Sequence, residues 1–320
     1  MAIQREQLAE DAAAGRGLIR RRLGRREVSA TRRMEVRTGL LFVAPAFIIY
    51  VVFMLFPFLN SIYYSLTSWD GVQNVKEWVG ISNYTTMIED PLLLEAAWHN
   101  LFWIIFGTIG PVAIGLLLAL ILWSTPRGAL FFRTVYFIPF ILPVVVIGIV
   151  WGWIYHPLFG GLNSLLSWIG LDSLTRGWLG DPTTALPAVL VAAIWGSFGF
   201  VTVVIFAGLQ SVSQDLVDAA AIDGANWWQR ARYVIIPAIA PVITLVTTIT
   251  LIGGFAVIDF IIVMTGGGPG TSSEVLGSYA YKNGFQFNQV GYGAAVSTLI
   301  TALSLVAAVL FVRIRERQRG

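Results

Sequence analysis

Apolar residues fall into six long runs, at about 39–66, 101–123, 131–156, 186–209, 234–264 and 292–312, and polar residues gather between them. A hydrocarbon core of about 30 Å takes roughly 20 residues of helix, so each run is long enough to cross one. A membrane barrel would show alternating segments of about ten residues, and the runs do not alternate. The pattern predicts an all-α integral membrane protein with six transmembrane helices. The first helix (39–66) follows a tail (1–38) and precedes a polar loop (67–100); a core (101–312) holds five helices, and a short tail (313–320) follows. The first run exceeds the roughly 7–15 apolar residues of a cleavable signal, so it reads as a retained span.

Composition agrees: 56% of the 320 residues are hydrophobic and 12% are charged, against about 25% charged in soluble domains. Charge also sets the expected orientation. Of 21 Lys and Arg residues, 18 fall in residues 1–38, at Arg127 and Arg133, at Arg230 and Arg232, and in the C-terminal tail, all on one side of the six-span topology. Lys76, Arg176 and Lys282 lie on the other side, so the positive-inside rule places both termini in the cytoplasm, with the chain multi-pass in a plasma membrane. Topology and lipid contact account for the basic charge, and no nucleic-acid partner is needed. There is no cysteine. The two histidines, His99 and His156, lie far apart in sequence, so no metal site is expected.

On this topology the segment DAAAIDGANWWQRARYVIIPAIAP, residues 218–241, is cytoplasmic. Three alanines favour a helix and Gly224 can end it in the left-handed conformation. Pro237 and Pro241 fall where a second helix enters the membrane. A short alanine surface flanked by acids lets a partner backbone approach closely, as a plug fits a socket.

Asp218, Ala219, Ala220, Gly224, Val234, Ile236 and Pro237 reproduce the spacing of the EAA signature, and Asp223, Gly224 and Ala225 its carbohydrate-branch variant. The chain thereby resembles permease subunits of binding-protein-dependent ABC importers of the maltose and glycerol-phosphate type. GLQSVSQDL, IDFIIVMTGGGPGTSS and GFQFNQVGYGAAVS look like the same branch. The resemblance implies the MetI-like type I importer permease fold and alternating access in a bacterial inner membrane. It implies that residues 218–237 dock into a cytoplasmic ATPase, with Asp218, Ala219, Ala220, Asp223, Gly224, Ala225 and Pro237 as coupling residues. The implied partners are a second permease, two ATP-binding subunits and an extracytoplasmic solute-binding protein. Asp218 stands where the family usually has Glu.

No phosphate-binding G-x-x-x-x-G-K-[ST] motif occurs in the chain, so ATP and Mg belong to the partner ATPase and no cofactor is expected here. No nucleophile and base pattern marks a catalytic site. For the solute path, adjacent Gly253 and Gly254 permit a kink or a close approach, and Phe255 offers an aromatic face. The resemblance adds Thr250 and Val257 in span 5. Trp195, Ser197 and Phe198 form a second cluster in span 4. Asp259 is a carboxylate in an apolar run, which marks a functional candidate; counted along a continuous helix from Val234 it lies roughly 35 Å across, near the outer surface. An ion-driven secondary transporter is the rival reading, but it needs ionisable sites near the midplane, usually in related halves. An intramembrane enzyme needs a catalytic cluster at depth.

Overall fold

The computed structural model describes residues 38–125 and 128–317. The basic tail 1–37, Arg127 and Arg319, which carry much of the orientation argument, lie outside the described residues. Helix α1 runs Thr38–Ser65; its Asn60 Nδ2 donates to the Phe56 carbonyl at 2.9 Å, which satisfies the amide inside its own helix. The chain divides into two compact units, residues 1–60 and 61–320, and every contact described below lies within the second.

After α2 (Ser82–Glu89), Asp90 starts α3 (Pro91–Ser124). Its Oδ1 accepts from the amides of Leu92 and Leu93 at 3.0 and 3.3 Å, and Pro91 takes the first helical position, where no amide is needed. This signal begins the helix ten residues before the apolar run at 101. At 34 residues and about 1.5 Å per residue, α3 overshoots the membrane core and carries its first turns into the loop region.

The run at 131–156 does not form one straight helix. Helices α4 (Ala129–Ile141) and α5 (Val144–Ile154) meet at 99°. The residue before a proline is pushed out of the helical region, and Leu142 accordingly takes ψ 137 before Pro143. Next come α6 (Gly161–Trp168), α7 (Ala185–Leu209) and α8 (Gln214–Ile222). The run at 234–264 breaks twice. Helices α9 (Trp227–Ala238) and α10 (Ala240–Phe255) bend by 71°, with Ile239 between them and Pro241 in the first turn of α10. A second interruption at residues 256–258 precedes α11 (Asp259–Met264), and Gly253 and Gly254 weaken the helix just before it. The last elements are α12 (Leu276–Tyr281) and α13 (Val290–Arg317).

Contacts fix the directions. Gly107, Gly110 and Gly115 of α3 face Leu190, Ile194 and Val201 of α7, so the two helices run parallel. Small residues set this spacing, since a Cβ on Gly115 would lie 2.6 Å from Val201 Cγ1. Helix α13 starts beside the start of α3, where Tyr292 donates to Asp90. The returning helices oppose these: Gly196 meets Ile147 of α5, and Gly208 meets Val242 of α10. The α4 backbone touches α7 so closely that a Cβ on Gly199 would lie 1.7 Å from the Tyr136 carbonyl oxygen. The loops 66–90, 155–184 and 265–289 therefore share one end of the bundle, and residues 210–239 occupy the other. At that second end Leu120, Leu122, Ile205 and Leu209 bury Val217, Ile235 and Ile239.

Candidate functional site

The interruption at 256–258 borders a cavity of about 280 Å³ between α3, α7 and the two halves of span 5. Among the described residues, no carbonyl accepts from the amides of Ala256, Val257 or Ile258. At membrane depth such free backbone is tolerated where it is buried in protein or lines a water-filled space. Asn100 of α3 serves the other side of the break: its Nδ2 donates to the Gly254 carbonyl at 3.3 Å. In an unbroken helix that carbonyl would accept from Ile258. Gly277 packs on the Val257 carbonyl, and any Cβ there would lie 2.4 Å from the oxygen.

Six of the nine path residues named from sequence line this cavity: Ser197, Thr250, Gly253, Gly254, Val257 and Asp259. The other three do not. Trp195 packs edge-on against Trp151 at 5.9 Å, Phe198 against Tyr136 at 6.2 Å, and Phe255 against the cluster around Leu93 and Tyr279. Each has its ring committed to packing, the ordinary fate of a membrane aromatic. Asp259 also needs correction. It is not carried on a continuous helix from Val234; two breaks intervene, and it opens α11 beside the cavity. Trp103 and Gly107 of α3 line the cavity as well. Sequence reasoning missed both, although the glycine spacing 107, 110 and 115 marks the α3 face turned to α7.

The lining has a definite chemistry. Ser197 and Thr250 spend their hydroxyl protons on the Ala193 and Val246 carbonyls of their own helices, at 2.9 and 3.0 Å. Their lone pairs remain as acceptors. The Trp103 indole supplies an apolar wall, and Asp259 is the one charged residue in the lining.

At the opposite end α8 projects from the bundle. Only Val217 of α8 is buried; Ile222 is 87% exposed, and Asp218, Ala219, Asp223 and Gly224 are exposed as well. Its end is a Schellman turn: Ala225 N–H donates to Ala220 and Gly224 N–H to Ala221, at 3.0 and 3.1 Å, with Gly224 at φ +85°. Asn226 then caps α9 through a reciprocal box with Gln229, at 2.9 and 2.8 Å. The reversal is thus fixed by backbone and cap bonds rather than by burial. Pro237 lies two residues before the 71° bend.

A helical bundle that crosses a membrane, holds a cavity beside a broken span and presents a rigid peg at one end belongs to the class of membrane transport subunits. Comparison with known proteins makes this specific. Residues 111–320 match the model of the binding-protein-dependent transport system inner membrane component, and the chain belongs to that family. It is 36% identical to a probable ABC transporter permease protein of Pyrococcus horikoshii over 83% of this chain and 91% of that one. It is 31% identical to the sulfoquinovosyl glycerol transport system permease protein SmoG of Agrobacterium fabrum, covering 86% and 89% of the two chains. It is also 31% identical to the diacetylchitobiose uptake system permease protein NgcF of Streptomyces coelicolor, covering 85% and 80%. The fold matches a chain in the crystal structure of a bacterial alginate ABC transporter bound to its alginate pentasaccharide-loaded periplasmic protein. That match has a TM-score of 0.77 at 23% identity, covering 88% of this chain and 95% of the other.

Proposed function

We propose that this chain is one permease subunit of an ATP-driven importer that carries a sugar or sugar-like solute into the cell by alternating access. Relatives named for sulfoquinovosyl glycerol and diacetylchitobiose support a saccharide cargo. The observation that carries the mechanism is the α8 peg: an exposed alanine face, held by Val217 and closed by the Gly224 turn. A partner ATPase that gripped this peg would move α9, and through it the jointed span 5 that borders the cavity. ATP and Mg act on that partner, and a second permease closes the open side of the path. An extracytoplasmic binding protein delivers solute to the end formed by loops 66–90 and 265–289. Both termini then lie in the cytoplasm.

Within the path, the free amides at 256–258, the acceptors of Ser197 and Thr250 and the Trp103 wall suit a neutral hydroxylated solute. Asp259 gives the lining a negative bias. Uptake into vesicles that contain the complete transporter tests the reading. It is expected to require ATP and the loaded binding protein, and to ignore an imposed proton or sodium gradient. Uptake driven by a gradient without ATP would overturn it.

A further inference from the structure

A second cavity, about 340 Å³, lies at the end of the bundle where α3 and α13 begin, apart from the break in span 5. Two stretches distant in sequence wall it, residues 68–90 and 279–292. Asp90 ties them together. Its Oδ2 accepts from Tyr279 and Tyr292 hydroxyls at 2.5 and 2.6 Å while Oδ1 caps α3. All four bonds on this carboxylate are thus taken by protein donors, which leaves it as a structural knot and a poor cation ligand.

The free polar atoms are carboxamides. Asn83 gives its Nδ2 protons to the Ser65 and Thr67 carbonyls, at 2.8 and 2.9 Å, which holds its Oδ1 in place with no donor among the described residues. Asn283 is 4% exposed, and its Nδ2 donates to the Tyr279 carbonyl at 2.9 Å. Among the described residues no hydrogen bond reaches its Oδ1, on a side chain that lines the cavity. The exposed Gln289 side chain makes no hydrogen bond among the described residues and sits beside them, its own amide anchored to the Asn283 carbonyl at 2.8 Å. Trp69 adds an indole edge to the lining, with its Nε1 spent on the Gln73 carbonyl and its ring against Tyr64 at 4.7 Å and the Lys76 ammonium at 4.5 Å.

Neutral carboxamide acceptors, two of them held by their own hydrogen bonds, beside an indole match hydroxyl donors on a sugar-like ring. The volume falls in the range of about 300–1,000 Å³ of small-molecule sites. We infer that this cavity is an entry site for a neutral polyhydroxylated solute, which rests there between release from the binding protein and passage to the inner cavity. The inference rests on the saccharide reading of the cargo given above.

Saturation-transfer NMR on the complete transporter in nanodiscs, without binding protein, tests it with diacetylchitobiose and maltose as probes. At least one probe is expected to receive saturation, and Asn283→Ala and Gln289→Ala each to weaken its binding at least fivefold. Asn283 is buried and its replacement can disturb folding; Gln289 is exposed and keeps its backbone bond when truncated, so it decides the matter. Unchanged binding in Gln289→Ala overturns the assignment. Vesicle uptake of either sugar with no saturation transfer to any form overturns the entry site and leaves the cargo reading intact. Uptake only of solutes that are not saccharides overturns the cargo reading, and the entry site with it.

Discussion

The side-chain amide of Asn100 donates to the carbonyl of Gly254 across the boundary between α3 and α10, 154 residues apart in sequence. The bond lies where span 5 ceases to be helical, on a carbonyl that the interruption has deprived of its usual donor. Asn100 is 1% exposed and its Oδ1 has no partner among the described residues. Replacing it by Leu orphans the Gly254 carbonyl, at about 1–3 kcal/mol, and removes the unpaired Oδ1, which returns part of that. A net loss of about 1 kcal/mol is expected, read as a lower unfolding midpoint of the purified transporter together with slower uptake. If neither changes, Asn100 does not hold the break.

Gly224 sits at φ +85° with open space where a Cβ would be. A substitution there meets no clash, so its effect is conformational, about 1–2 kcal/mol for a β-branched residue. Gly224→Val is expected to leave the protein in the membrane and to lower uptake far more than basal ATP hydrolysis, because the peg changes direction. Parallel assays of phosphate release and solute uptake check this. Normal uptake in the variant removes the peg from the coupling mechanism.

Two glycines separate folding from passage. A Cβ on Gly199 collides with the Tyr136 carbonyl, whereas one on Gly253 meets nothing within 4 Å. Gly199→Ala is expected to force α4 away from α7 and to cost more than about 3 kcal/mol, seen as loss of assembled complex. Gly253→Ala is expected to assemble normally, while Gly253→Leu projects into the cavity and cuts uptake at least tenfold. Wild-type uptake by Gly253→Leu would show that solute does not pass there.

Burial alone would raise the Asp90 carboxyl, but hydrogen bonds from Tyr279, Tyr292 and the amides of Leu93 and Leu92 outweigh it and hold it below its ordinary 3.8. Burial and then the facing carboxylate push Tyr279 up to about 12. With a depressed folded value, Asp90 stabilises the native state above about pH 4, and that contribution disappears as pH falls through the folded value. Asp90→Asn is therefore expected to be less stable than wild type at pH 7, with the difference shrinking as pH falls below about 4, as followed by thermal unfolding at a series of pH values. A constant difference at all pH values would rule out the ionised carboxylate as the source.

Much of this architecture could be read from residues. The six apolar runs marked four helices long enough to cross a membrane and two bent pairs, and Asp218 to Ala225 marked a helix with a glycine stop, because caps and stops are local chemistry. The breaks were harder. Pro143 and Pro241 stood in the sequence as warnings, yet the sizes of the bends depend on what each half packs against. The interruption at 256–258 contains no proline at all. It is stabilised by Asn100, which no local pattern could pair with Gly254. Trp195 and Phe198 illustrate the converse: proximity in the sequence grouped them with Ser197, but the partners Trp151 and Tyr136 decided where their rings went.

The three long uninterrupted helices of the second unit, α3, α7 and α13, all point the same way, and each returning span is jointed. Rods that share one polarity can stay rigid while the opposed limbs flex at Leu142, Ile239 and residues 256–258. The joint at Ile239 lies fourteen residues after Ala225, so in the mechanism proposed above a pull on the peg would enter the molecule through a jointed limb. Of these joints Ile239 lies at the end that carries the peg, whereas residues 256–258 pack on Gly277 toward the opposite end.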